Sequence, residues 1–189
     1  MPEAANLVGY LATGVLLGAY LLKDHRALCV TVSLGLAIFA AHYAMLGAMT
    51  TAVMCVFSAI RYCASPWALG RDDTTRRRLT ALALVVGAGL CIATWQDWRS
   101  MIALIGTFIL IVGGFHLRDG NFRKLLMASD IAFAVNALLV GSVPGLVMCA
   151  CAILLNAGII IRAGAGSPGR RLDSKLAVDR LSCRRYTDI

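Results

Sequence analysis

The sequence predicts an all-α membrane protein with seven transmembrane helices, arranged as two parallel three-helix repeats joined by a linker helix, a 3+1+3 plan. Three observations lead to this fold class. The 189 residues are 59% hydrophobic and 15% charged, with a mean hydropathy of +0.77, which is too apolar for a soluble domain of this length. Seven apolar runs follow one another along the chain, and a pattern in its first part returns in its second.

The returning pattern is GAYLLKD at residues 18–24 and GGFHLRD at residues 113–119. Further aligned positions are His42 with Asn136, Leu46-Gly47 with Val140-Gly141, and Val53-Met54-Cys55 with Val147-Met148-Cys149. A match of residues 10–62 with residues 105–156 is the signature of a duplicated unit. The alternative is that membrane segments resemble each other by composition. Matches at Gly, aromatic and Asp positions, with the one-residue gap in a loop, favour duplication.

The seven apolar runs set the order of the elements. They cover about residues 6–22, 27–46, 48–65, 79–94, 100–117, 125–140 and 145–161. Several are at or just under the roughly 17–25 residues that cross a core of about 30 Å. Pro66 is expected to open a polar loop that ends in Arg76-Arg77-Arg78. The first run lacks a basic flank before it, which favours a retained span over a cleaved signal peptide.

These runs predict four segments. Residues 1–65 form the first three-helix repeat, and residues 66–99 a cytoplasmic loop and the linker helix. Residues 100–162 form the second repeat. Residues 163–189, rich in Gly, Ser and Arg, form a basic cytoplasmic tail that is expected to be disordered. The tail is interpreted as a solvated topology signal, with contact to anionic lipid as the alternative.

The basic residues predict the orientation. If the runs alternate across the membrane, 17 of the 18 Lys and Arg residues fall on one side, and Arg99 falls on the other. This bias places the N-terminus outside and the C-terminus in the cytoplasm. The net charge of +8 therefore reflects topology, and no nucleic-acid partner is expected. The lipid bilayer is the expected partner, and homo-oligomers are left open.

Polar residues inside the spans are the candidate site, because burying them unpaired is costly. Asp130 is the acid placed deepest in an apolar run, about 9 Å past Lys124 at about 1.5 Å per residue. Asn156 lies near the middle of the seventh run, and Asn136 and its counterpart His42 lie nearer the outer side. Ser129 shares a face with Asn136. Together they predict a solute-binding site, with an interhelical hydrogen-bond network as the alternative.

Other polar groups are given structural roles. Arg61 lies one turn from the inner end of its run and is expected to extend to the lipid headgroups. The cysteines are interpreted as small buried hydrophobes: Cys149 and Cys151 point in opposite directions on a helix and cannot bind one ion together. No metal site, catalytic residue or cofactor is therefore predicted.

The residues also resemble a known family. HYAMLGA at residues 42–48, Thr51-Ala52, and SAIR at residues 58–61 are similar to the hallmark stretch of the YgjV-like bacterial inner-membrane proteins. The resemblance covers about residues 5–162, and it implies no assigned activity. More remotely, the 3+1+3 plan is similar to that of the SWEET and PnuC transporters, which implies a small polar substrate between the bundles. The chain lacks the Pro-Gln pair of SWEET proteins, and Asn156 aligns with Tyr62 and not with a second Asn.

Two functions follow. The first is a transporter or facilitator of a small polar solute, with Asp130 as a counter-charge for a cationic solute or as a proton acceptor, and with Asn156 and Asn136 as hydrogen-bonding groups. The second is a non-transporting membrane scaffold or accessory subunit, in which the polar groups lock the helices together. An enzyme is not expected, because no catalytic motif is present.

Overall fold

A computed structural model of the chain describes residues 2–22, 24–68, 70–116 and 119–165. These residues are helical, with seven helices and no strand among them. The helices are α1 (Pro2–Ala19), α2 (His25–Met45), α3 (Met49–Ala68), α4 (Asp73–Ala93), α5 (Arg99–His116), α6 (Asp119–Val140) and α7 (Val143–Ala165). The all-helical class predicted from the sequence is confirmed. Residues 163–165, predicted to begin the disordered tail, are instead the end of α7, and the rest of the predicted tail lies outside the described residues.

Several helix boundaries differ from the predicted ones, among them the end of α3 and the starts of α4 and α6. α3 continues through Pro66 to Ala68, so Pro66 does not open the loop. Pro66 has no N–H to donate to the carbonyl four residues before it, and α3 ends two residues later. α4 begins at Asp73, and the three arginines predicted to be a loop lie in its first turns. The reason is a cap: the Asp72 carboxylate accepts a hydrogen bond from the Thr75 N–H at 3.1 Å.

By its contacts the chain divides into residues 1–156 and residues 157–189. In the first unit, α1 packs on α2, α2 on α3, α3 on α4 and α5, α4 on α5, and α5 on α6. Its main apolar core joins α1, α2 and α3 to the start of α7, with Leu16, Phe39, Tyr43, Cys55 and Met148 among the buried side chains.

The helices expose apolar side chains and bury polar ones. Leu7 is 73% exposed, Ile92 74% and Leu154 72%, and each of the seven helices carries such residues. His42 and Asn156, in contrast, are 0% exposed. Large apolar surfaces outside and polar groups inside are typical of a protein whose solvent is lipid.

Two helices of the described chain contain a segment long and apolar enough to cross a bilayer, at Arg26–Met45 and Val143–Arg162. Glu3–Ala19 and Arg99–Gly113 are shorter apolar segments. α3 is less apolar because it carries Thr51, Ser58 and Arg61, which are all buried. Polar side chains that face the interior of the protein lower the mean hydropathy of a helix. The crossing of the membrane by all seven helices remains a prediction.

The turns after α2 and α6 have the same geometry. Gly47 and Gly141 each have a φ of 77°, in the left-handed region that glycine adopts without strain. In the first turn Gly47 N–H bonds to the Ala44 carbonyl and the next N–H to that of Tyr43. The second turn repeats both bonds at positions 94 residues later, from 141 to 138 and from 142 to 137. Each is a Schellman motif, which satisfies the last carbonyls of its helix.

Candidate functional site

Asp130 lies in α6 as a half-buried carboxylate. Its Oδ2 atom is shielded from solvent and has no hydrogen-bond partner among the described residues. The charge of the carboxylate acts on the hydroxyl groups of Tyr20, in the turn that follows α1, and of Tyr62 in α3, and on the Cys149 thiol of α7. The Asp130 carboxylate thus acts on side chains from α3, from α7 and from the turn after α1.

Asn156 belongs to the same surroundings. It is fully buried, its Nδ2 donates to the Ala152 carbonyl at 3.0 Å, and its Oδ1 accepts from Arg123 Nη1 at 3.1 Å. Its side chain also interacts with the Tyr20 hydroxyl, which is one of the groups facing Asp130. We call Asp130, Tyr20, Tyr62 and Asn156 the Asp130 cluster. It contains donors, an acceptor amide and one unpaired carboxylate, which are the groups that bind a small polar molecule.

Asn136 lies elsewhere, near the turns that follow α2, α4 and α6. Its Nδ2 donates to the Thr51 hydroxyl at 3.1 Å, which links α6 to α3. A pocket of about 180 Å³ opens beside this pair. It is lined by Leu46, Gly47, Ala48, Thr50, Thr51, Gln96, Asp97, Arg99, Ser100, Asn136 and Val140. Gln96 holds two of the turns together, because its side chain bonds to Met49 N–H at 2.9 Å and to the Gly47 carbonyl at 3.0 Å.

His42 is a third separate position. Its Nδ1 is 2.7 Å from the Ala5 carbonyl oxygen, which can only accept, so Nδ1 carries the proton. Its Nε2 is 2.7 Å from the Ser142 hydroxyl, and Ser142 Oγ also accepts from Gly145 N–H at 3.1 Å, capping the first turn of α7. His42 thereby links α2 to α1 and to the start of α7.

Ser129 is fully buried and donates to the Gly106 carbonyl at 3.0 Å, which joins α6 to α5. The structure therefore brings two of the five predicted residues together, Asp130 and Asn156. Asn136, His42 and Ser129 each make an interhelical hydrogen bond at a different place.

The expectation for Arg61 is wrong. The side chain does not extend to the headgroups but is 4% exposed, with its guanidinium group 4.3 Å from the centre of the Tyr62 ring. Residue 61 lies on the buried face of α3, three residues after Ser58 and four before Ser65, and both serines are also buried. A side chain on this face points into the protein and cannot reach the membrane surface.

Sequence reasoning missed Tyr20, Tyr62 and Arg123 as members of this region. A signal was present in α3, where Thr51, Ser58 and Ser65 recur every seven residues and so share one helical face. No sequence feature distinguishes Tyr20 from an interfacial tyrosine. Among the described residues no group of three His, Cys, Asp or Glu side chains is placed to hold a metal ion.

A family model agrees with the lipid-facing surface. The model of the Imp-YgjV family, described as a bacterial inner membrane protein, matches residues 3–165. The chain belongs to this family. Imp-YgjV membership and the exposed apolar faces together identify an integral protein of the bacterial inner membrane. No curated protein and no solved structure gives a significant match to this Imp-YgjV chain.

Proposed function

We propose that this protein is a transporter or facilitator of a small polar solute, which binds at the Asp130 cluster between two helical repeats. One observation carries the proposal: Asp130 Oδ2 is shielded from solvent and has no hydrogen-bond partner among the described residues, and the charge of Asp130 acts on the Tyr20 and Tyr62 hydroxyl groups. An unpaired carboxylate is costly inside a membrane protein and marks a functional site by default. A cationic or hydrogen-bond-donating solute, or a proton, supplies the missing partner.

The proposal includes the 3+1+3 arrangement, with α1–α3 and α5–α7 as the repeats and α4 as the linker. The matching Schellman motifs at Gly47 and Gly141 support it, because they occur at positions that the sequence alignment equates. The aligned pair His42 and Asn136 supports it as well. His42 bonds to Ser142, just before the third helix of the other repeat, and Asn136 bonds to Thr51, in the first turn of the third helix of the other repeat. Such reciprocal contacts are expected of two repeats related by an approximate two-fold axis.

The proposal also includes the orientation, with the N-terminus outside and the C-terminus in the cytoplasm. Gln96 joins the turn after α4 to the turn after α2, and Arg99 Nη1 donates to the Leu139 carbonyl near the turn after α6. The three turns thus lie at one end of the helices. Arg99 is the one basic residue that the predicted topology puts on the outer side of the membrane. The bilayer as partner, possible homo-oligomers, the absence of a nucleic-acid partner and the absence of enzymatic activity remain predictions.

The test is a thermal-shift screen of the purified protein against nucleosides, vitamins, sugars and amines. Wild type is compared with Asp130→Asn and with Ser129→Ala, a neighbouring control that removes a buried hydroxyl bonded only to Gly106. A ligand at about 100 times its Kd contributes about 2.7 kcal/mol of apparent stability. A compound that stabilises wild type and the Ser129→Ala control but not Asp130→Asn is then used in proteoliposome uptake. Uptake by Asp130→Asn at the wild-type rate would contradict the proposed role of Asp130.

The second candidate is a membrane scaffold or accessory subunit. It is favoured by the hydrogen bonds of His42, Asn136 and Ser129, each of which holds separate helical segments together. Under this function no compound in the screen stabilises the wild-type protein, and Asp130→Asn changes only the unfolding temperature.

A further inference from the structure

Arg61 is a buried cation that has no hydrogen-bond partner among the described residues. Arg61 of α3 is 4% exposed, and its Nε, Nη1 and Nη2 atoms have no hydrogen-bond partner in the described part of the chain. The ion pairs formed by the described residues are Arg76 with Asp73 and Arg99 with Asp97, so no described acid pairs with Arg61. Its guanidinium group lies 4.3 Å from the centre of the Tyr62 ring and interacts with the Tyr62 hydroxyl, which carries no negative charge to balance it.

An arginine in this state needs an anion. The guanidinium group keeps its proton in proteins, so burial cannot neutralise it as it can a lysine. A buried charge without a partner is strongly unfavourable, and a contact with one aromatic ring replaces only part of the lost hydration. The five N–H donors form a planar fork, which matches the two oxygens of a carboxylate or a phosphate.

Ser58 is the second, independent observation. It lies one helical turn before Arg61 on the same face, is 2% exposed, and its hydroxyl also has no hydrogen-bond partner among the described residues. Two neighbouring buried polar groups therefore both lack partners, although more than nine in ten buried polar groups in proteins have one. Both can donate a hydrogen bond to the same anion.

We propose that Ser58 and Arg61 form a binding site for an anionic group, a carboxylate or a phosphate. Arg61 binds two of its oxygens, Ser58 donates to the same group, and the Tyr62 ring supports the guanidinium plane. Arg61 is seven residues from the end of α3 at Ala68, about 10 Å at about 1.5 Å per residue, so the anion is held inside the helices and not at their end. The anion is either part of a soluble molecule or the phosphate of a bound lipid. The anion site goes beyond the proposed solute site and is tested separately from it, although Tyr62 interacts with both Asp130 and Arg61.

The experiment measures the unfolding temperature of the purified full-length protein in a maltoside detergent at low ionic strength. Inorganic phosphate and acetate are titrated as soluble anions, and short-chain phosphatidylglycerol as the lipid. Wild type is compared with Arg61→Met, Ser58→Ala and Arg99→Met, the last being a matched control that removes an exposed arginine outside the site. Sodium chloride at equal ionic strength corrects for screening.

The expected result is a rise of about 5 to 10 °C for wild type and for Arg99→Met at saturating anion. Ser58→Ala should require several times more anion for the same rise, and Arg61→Met should show none. Without anion, Arg61→Met should unfold at a higher temperature than wild type, because the substitution removes an unpaired buried charge. A rise with phosphate or acetate identifies a soluble anion, and a rise with phosphatidylglycerol alone identifies a bound lipid.

The proposal is overturned if neither the soluble anions nor the lipid raise the wild-type unfolding temperature above the chloride control. An equal rise in wild type and Arg61→Met also overturns it. If Arg61→Met does not fold, Ser58→Ala and Arg61→Lys are compared with wild type instead. Lys retains the charge but lacks the planar fork, so each of these two variants should weaken the anion effect. An unchanged anion response in both variants refutes the site.

Discussion

The link between His42 and Ser142 offers the sharpest test of the packing. His42 Nδ1–H donates to the Ala5 carbonyl, and Nε2 accepts from the Ser142 hydroxyl, each at 2.7 Å. The backbone of α1 approaches the imidazole ring closely at Gly9, where an added Cβ would lie 2.8 Å from Nδ1. The substitution His42→Phe retains a planar ring of similar size and removes both hydrogen bonds.

The expected cost follows from these two bonds. An interhelical hydrogen bond in a membrane protein contributes about 0.6 to 2 kcal/mol, so His42→Phe should lower the free energy of unfolding by about 1 to 4 kcal/mol. Ser142→Ala removes one of the two bonds and also the cap on Gly145 N–H, which contributes about 1 kcal/mol. The double variant loses the shared bond once and not twice. The two costs should therefore fail to add by about 0.6 to 2 kcal/mol.

The assay is unfolding of the purified variants by titration with a denaturing detergent, analysed as a double-mutant cycle. The control cycle pairs His42→Phe with Ser129→Ala, because Ser129 bonds to Gly106 on another helix and shares no partner with His42. Independent sites add within about 0.3 to 0.5 kcal/mol. A coupling inside that range for His42 and Ser142 would refute the hydrogen bond between them.

Two further predictions concern a turn and a cap. Gly141→Ala should cost about 1 to 2 kcal/mol through its positive φ, whereas Gly145→Ala should cost about 1 to 3 kcal/mol because its new Cβ would lie 2.5 Å from the Tyr43 hydroxyl oxygen. In thermal unfolding, Tyr43→Phe should therefore recover part of the loss in Gly145→Ala and none in Gly141→Ala; equal recovery in both would argue against the contact. Hydrogen bonds from the Thr75 hydroxyl and N–H hold the pKa of Asp72 below its usual 3.8. Because the folded-state pKa is the lower one, the cap contributes above about pH 4 and is lost as pH falls through the folded-state pKa. Hydrogen exchange at the Thr75 amide should show this loss in wild type and not in Asp72→Asn, and identical pH profiles would rule the cap out.

The helical fold followed closely from local sequence patterns. The apolar runs predicted the core of each of the seven helices of the described chain, and the family resemblance predicted from residues 42–61 is confirmed by a match over residues 3–165. The starts of α4 and α6 were predicted too late, because the prediction followed hydropathy alone. Asp72 is followed three residues later by Thr75, and this local capping signal was available in the sequence.

The candidate site was predicted only in part. Their positions inside apolar runs identified Asp130 and Asn156 as candidate site residues, and both lie in the Asp130 cluster. This criterion did not separate them from His42 and Asn136, whose side chains have partners elsewhere. The interpretation of Arg61 failed for a similar reason, because distance from the helix end was considered without the direction of the side chain.

The sequence by itself determined the class of the protein, the order of its helices and the positions of its turns, because hydropathy, capping and glycine conformation act over a few residues. Only the tertiary structure decided which polar groups are paired and which are not. His42 meets Ser142 across 100 residues of chain, and Asn136 meets Thr51 across 85. Such partners depend on how the helices pack around one another. The same packing leaves the Asp130 Oδ2 atom, the Ser58 hydroxyl and the Arg61 guanidinium group buried without a hydrogen-bond partner among the described residues.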